Sequence, residues 1–241
     1  GPTLLLGGME LATAPALVGD RTFLATRDLA AVAPLTLGPL VLVVNAQKTQ
    51  ARSLAELLAA ARAQPGALTI ASAGNGNVTH LFGEIFKRTA KIDVRHVPYR
   101  GAVPALTDLQ AGEVTMMLAG TANVRQLVTA GSLRALAITG QDAAVLGLPG
   151  VPTFAQAGLP MPETDAGAWT ALFAPKATPR DAVLQINQAV QAVLAQPELR
   201  AQLSAIGLAA APGTPDAVQA LLASQSRVWT DLIAQAGIKA E

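Results

Sequence analysis

The residues best suited to chemistry lie in one stretch, Leu68 to Arg88. Ser72, Ala73, Gly74, Asn75, Gly76 and Asn77 form a glycine-rich turn, followed by Thr79 and His80. A turn of this kind at a helix start aims backbone N–H groups, and the partial positive charge of the helix end, at whatever lies above it. Gly74 and Gly76 allow close approach, while Ser72, Asn75, Asn77 and Thr79 add hydroxyl and amide donors. The chemistry these types support is capture of an anion, phosphate or carboxylate. The same residues also read as an ordinary strand-to-helix turn, with Asn77 or Thr79 as the N-cap.

Other candidates are fewer. His80 has the type of a base or metal ligand, but His96 is the only other histidine and no acidic cluster stands near either. His80 therefore reads as bonded to a local group in a first helical turn, and His96 as a structural residue of a strand. Neither makes a metal site, which needs three or four ligands. Tyr99 and Arg100 end a strand. Arg100 either clamps a carboxylate bidentately or pairs with Asp108 or a carbonyl and holds its loop. Asp108, Glu163 and Asp165 assemble no nucleophile with base and orienter, so no catalytic residue is assigned. Gly74-Asn75-Gly76 lacks the lysine and Ser/Thr of a phosphate loop and the third glycine of a dinucleotide fingerprint.

These residues need elements to hold them. Leu68 to Ala71 reads as a buried strand, and Leu81, Phe82, Ile85 and Phe86 recur at the spacing of one helical face. The strongest strand is Leu40 to Val44, ended by Asn45; Thr3 to Leu6, Ala30 to Ala33, Ile92 to Val97, Val114 to Leu118, Leu133 to Ile138 and Trp169 to Ala174 are others. Leu11 to Leu17, broken by Pro15, is a short helix or turn. Ser53-Leu54-Ala55-Glu56 is a capping box opening a helix that Pro65-Gly66 stops. Helices follow Pro104, Asn123, Pro179 (with a break near Pro197) and Pro215, the last placing Trp229 in the core. Gln141 to Pro162, rich in Pro and Gly, reads as a surface connection. Strands alternate with helices, which predicts an α/β chain with mostly parallel sheets. Ligands of such sheets bind beyond the carboxyl ends of strands, where Ser72–Thr79, Tyr99–Gly101 and Ala119–Thr121 stand.

Composition narrows the function. The 241 residues carry a net charge of +1 and no basic stripe, which argues against nucleic acid as partner. Absence of cysteine removes thiol catalysis, disulfides and thiolate metal sites. No apolar run reaches membrane-spanning length. No signal peptide is read ahead of Gly1-Pro2 and the strand Thr3 to Leu6.

At particular residues the sequence resembles the Bug-type (TctC-like) solute-binding proteins of tripartite tricarboxylate transporters. The matching pieces are Ala71-Ser72-Ala73-Gly74-Asn75-Gly76 with His80-Leu81, and His96-Val97-Pro98-Tyr99-Arg100-Gly101. Further pieces are Pro104 to Leu109, Leu133 to Ala137, Val151-Pro152-Thr153, and Trp169 with Leu172-Phe173-Ala174-Pro175. The resemblance implies an α/β, two-lobed, periplasmic-binding-protein-like (type II) architecture with a central cleft. It implies hinges near Val44-Asn45 and Ala166 to Trp169, with residues 1–45 plus 167–241 as one lobe and 46–166 as the other. It also implies a periplasmic location, a small organic carboxylate as ligand, membrane transporter subunits as partners, hinge closure, and neither catalysis nor cofactor. The ligand-binding residues implied are Ser72, Gly74, Asn75, Gly76, Asn77, Thr79, Tyr99, Arg100, Thr121 and Trp169, with Trp169 lining the cleft or packing on the hinge strand. By the family pattern roughly a first quarter, with its own glycine-rich loop, stands ahead of Thr3, so the edge at Thr3 to Leu6 is expected to lie uncovered. The family's usual residues after the fourth-strand position are replaced by Ala119-Gly120-Thr121-Ala122. The alternative is an α/β enzyme acting on a phosphorylated or carboxylated metabolite at the same loop.

Overall fold

The structure, a computed structural model, describes residues 3–19, 22–140 and 143–238. Gly1, Pro2, Gln141 and Asp142, which the sequence reading touched, lie outside them, as do the last three residues of the expected first lobe. Two units divide the chain. One runs up to Gly38 and resumes at Ala168; the other is Pro39–Gly167.

The first unit opens with β1 (Leu5–Gly8), α1 (Glu10–Val18), the single-turn α2 (Ala25–Asp28) and β2 (Leu29–Leu37). Its sheet has the order β1, β8 (Thr170–Pro175), β2, β9 (Ala209–Ala210), with every pair antiparallel. β2 runs well beyond Ala30–Ala33 because the register shifts at Ala31/Ala33 and Pro34/Thr36 let a proline sit within a strand. α7 (Arg180–Leu194) buries Val183 against Val32, Ala33 and Ala174. Pro197 then begins α8 (Pro197–Ala205), which accounts for the expected break. α9 (Pro215–Ala236), capped by Thr214, lies on α1 and β2. Its Trp229 is wholly buried and donates its indole N–H to Gln225. β1 is an edge strand, and Leu4, Leu5 and Leu6 are exposed along it.

The second unit contains β3 (Leu40–Asn45), α3 (Leu54–Ala63), β4 (Thr69–Ser72), α4 (Val78–Ala90) and β5 (Arg95–Pro98). α5 (Ala102–Ala111), β6 (Met116–Gly120), α6 (Thr121–Thr129) and β7 (Leu133–Ile138) follow. The sheet order is β5-β4-β6-β3-β7. β4 is parallel to β5 and β6, whereas β3 is antiparallel to β6 and β7. Four strands thus share one direction, as strand–helix alternation predicts, and β3 is inserted against them. The expectation of mostly parallel sheets is corrected: the first sheet is antiparallel throughout, and in the second the strand arriving from the other unit reverses the local pairing. β3 is buried along its whole length, which is why it is apolar without alternation.

The changes of unit fall at Gly38–Pro39 and Gly167–Ala168. The first lies one strand ahead of the Val44–Asn45 expectation, because β3 is hydrogen-bonded on both sides within the second sheet. The segment read as a surface connection is also corrected from Ala143 onward. Leu146, Leu148, Phe154, Leu159 and Met161 are buried, and Thr153 bridges Ile138. Pro and Gly there mark turns of a packed segment rather than an exposed one.

Candidate ligand-binding site

Because β4, β5 and β6 run the same way, the segments after them leave one edge of the sheet. That edge gathers Ser72–Thr79, Tyr99–Gly101 and Thr121. The glycines are needed for conformation: Gly74 has φ +137° and Gly76 φ +70°, a region that L side chains avoid. Asn77 caps α4, accepting the Thr79 N–H at 3.0 Å and the Thr79 hydroxyl at 3.1 Å. Thr79 Oγ1 in turn accepts the Ala73 N–H at 2.8 Å. The Asn77 N–H reaches the Gly74 carbonyl at 3.2 Å. Tyr99 N–H donates to the Ser72 carbonyl at 3.0 Å and Gly101 N–H to the Ala73 carbonyl at 3.2 Å, which ties the loop to the turn after β5.

The structure thus changes the expected role of the loop. The N–H groups of Ala73, Gly74, Gly76, Asn77 and Thr79 are all bonded within it. The Val78 N–H, at the first helical position, has no partner among the described residues. The segment is thus the capped strand-to-helix turn of the second sequence reading, at the positive end of a 13-residue helix.

Behind the loop the two histidines are stacked, ring centroids 3.8 Å apart and planes 7° from parallel. His80 Nδ1 accepts the Gly76 N–H at 3.1 Å, the local bond expected of it. His80 Nε2 stands 3.8 Å from Glu84, whose Oε1 also accepts from Lys87 Nζ at 2.7 Å. His96 Nε2 lies 2.7 Å from Ser72 Oγ. Burial pushes the His80 imidazolium down, Glu84 opposing; burial and then the neighbouring His80 bring His96 to about 4. The Ser72–His96 contact joins residues far apart in sequence and was not foreseen. It is a serine beside an imidazole, but Ser72 is wholly buried and its hydroxyl also exchanges bonds with Gly74. No described carboxylate bonds the other nitrogen of His96. The pair braces the loop.

The remaining expected residues divide. Arg100 is exposed at the carboxyl end of β5 and has no hydrogen-bond or ion-pair partner among the described residues. Asp108 is instead taken by the Tyr99 hydroxyl, which donates to it at 2.7 Å. Desolvation, then that bond, pushes the phenol up to about 12. Thr121 is buried, and its hydroxyl donates to the Pro39 carbonyl at 3.1 Å, holding the entry to β3. Trp169 belongs to the other unit, where it is buried with an indole N–H that finds no partner among the described residues. Among the described residues no group of three or more His, Cys, Asp or Glu can hold a metal ion, and no helix is long and apolar enough to cross a membrane.

The family profile described as "Tripartite tricarboxylate transporter family receptor" matches residues 1–238. A protein encoded in the tcbD–tcbE intergenic region of Pseudomonas sp. (strain P51) is 37% identical over 235 residues, covering 95% of this chain and 69% of the relative. Protein BugT of Bordetella pertussis is 31% identical over 241 residues, covering 99% and 73%. A solved structure described as a periplasmic transporter is 30% identical with a TM-score of 0.77, covering 99% of this chain and 79% of its own. An R. palustris protein solved with adipate is 27% identical with a TM-score of 0.76 over the same shares. MatC of Rhodopseudomonas palustris, solved with bound malate, is 28% identical with a TM-score of 0.71, covering 96% and 79%.

Proposed function

We propose that this chain, which belongs to the tripartite tricarboxylate transporter receptor family, binds a small organic carboxylate in the periplasm and presents it to the membrane subunits of such a transporter. The family is one of solute-binding receptors rather than enzymes, and nothing supports the enzyme alternative. The observation that carries the ligand class is the match over residues 1–238 together with two structural relatives solved with dicarboxylates, adipate and malate.

The residues proposed to meet the carboxylate are those at the shared strand edge. Ser72, Gly74, Asn75, Gly76, Asn77 and Thr79 supply a rigid floor, since their mutual bonds are made before any ligand arrives and little ordering is left to do on binding. The N-terminus of α4 favours negative charge above it, and Arg100 supplies a full positive charge with two parallel donors. Tyr99 is held by Asp108 and lines the same edge. Thr121 contributes by fixing the sheet rather than by its hydroxyl, which is committed to Pro39.

Isothermal titration calorimetry with malate, succinate, adipate and acetate tests this. Saturable binding of at least one dicarboxylate is expected, with a thermal stabilisation equivalent to about 2.7 kcal/mol at a ligand concentration about 100 times Kd. No heat and no thermal shift with any organic acid would overturn the proposal.

A further inference from the structure

We propose that His80 and His96 are positioning residues for the loop Ser72–Thr79 and that its Gly76 end is held only while the His80 imidazole is neutral, so that acidification unlocks the loop. The reasoning begins with protons. His80 Nδ1 accepts from the Gly76 N–H at 3.1 Å, so the neutral ring carries its proton on Nε2, the nitrogen 3.8 Å from Glu84. A second proton can enter only at Nδ1. That sets donor against donor, and the Gly76 N–H must leave.

His96 holds the other end of the loop through Ser72 Oγ, 2.7 Å from its Nε2. The same hydroxyl accepts from Gly74 N–H at 3.3 Å. The two rings lie face to face at 3.8 Å, so a charge on one opposes a charge on the other, and they titrate as a pair rather than singly.

The charged surroundings do not cancel this. Glu84 and Lys87 of α4 are the groups that act on both rings, and Lys87 Nζ occupies Glu84 at 2.7 Å. β4 and β6, packed on α4, carry no ionisable side chain; the 3-10 turn Pro162–Thr164 on the same helix brings Glu163, and β5 brings Arg95. Burial is the leading cause holding both imidazoles below their ordinary range. The loop is therefore locked at neutral pH and released under acid conditions.

The effect on ligand rests on the reading of this loop as part of a carboxylate site, but the unlocking does not, and the two are measured separately. NMR of the full chain without ligand, from about pH 7.5 to pH 3.5, follows the imidazole resonances and the Gly74 and Gly76 amides. The expected result is that both imidazoles titrate below 6.5 and that the Gly76 amide loses its bonded shift and exchange protection in step with His80. Imidazoles titrating at or above 6.5, or a Gly76 amide unmoved by the His80 transition, would overturn the inference, and this wild-type series decides without any variant. In His80→Asn, whose amide oxygen stands where Nδ1 does, the bond from the Gly76 N–H should be kept and its acid transition should vanish. Malate and adipate titrations on wild type and His80→Asn then cancel the ligand's own protonation: wild type should lose about tenfold more affinity by pH 4.5 than the variant. If neither acid binds at any pH, the carboxylate reading fails while the loop transition still stands or falls on the NMR result.

Discussion

Ser72, Asn77 and Thr79 spend their side chains on their own loop, Ser72 also on His96, and Arg100 spends its on nothing described. That division sets opposite expectations for substitution. Thr79→Val removes the acceptor for Ala73 N–H and the donor to Asn77, and should lower stability by about 2 kcal/mol in urea unfolding. Arg100→Ala should leave stability within about 0.5 kcal/mol and weaken carboxylate binding about tenfold in calorimetry, more so at low salt. Asn77 as N-cap and a local bond for His80 were readable from sequence, because both partners lie within four residues. The Ser72–His96 bond and the Tyr99–Asp108 pair were not. The first joins two strands, and the second depends on how α5 lies after its turn.

Elements follow local rules closely and pairing rules less so. The capping box at Ser53 forms as expected on one side, with Ser53 Oγ accepting the Glu56 N–H at 3.2 Å. Glu56 reaches back one residue further than the motif requires, to the Arg52 N–H at 2.6 Å. Ser53→Ala should cost about 1 kcal/mol, seen as a lower urea midpoint with unchanged slope. Gly76→Ala forces a side chain onto φ +70° and should cost about 1–2 kcal/mol by the same measurement. Apolar runs announced most strands because most carry buried residues, although β5 and β9 have none. Strand direction did not follow from alternation for β3: nothing in Leu40–Asn45 states which neighbours it will enter between, and it runs against β6 and β7.

At the scale of the whole molecule, stability should depend on pH through the stacked histidines. His96 binds its proton with a folded-state pKa of about 4 against 6.5 for the free side chain, and His80 is shifted the same way. The unfolded chain therefore holds more protons between these values, so stability is complete above about 6.5 and declines as pH falls toward about 4. Thermal unfolding should show a Tm about 3–8 °C lower at pH 4.5 than at pH 7, and His96→Gln should flatten that slope. The family and the receptor role were determined by the sequence. Ordered short motifs and a glycine-rich turn before an amphipathic helix are local facts that folding does not rearrange. Only the tertiary structure decided that the chain changes unit at Gly38–Pro39, that the loop's own N–H groups are already bonded, and that Arg100 rather than Asp108's neighbourhood carries open charge. The first is a choice of partner between residues distant in sequence, fixed by which strands pack together; the loop's bonds and the Tyr99–Asp108 pair span fewer than ten residues but depend on turn geometry that residue types alone do not state.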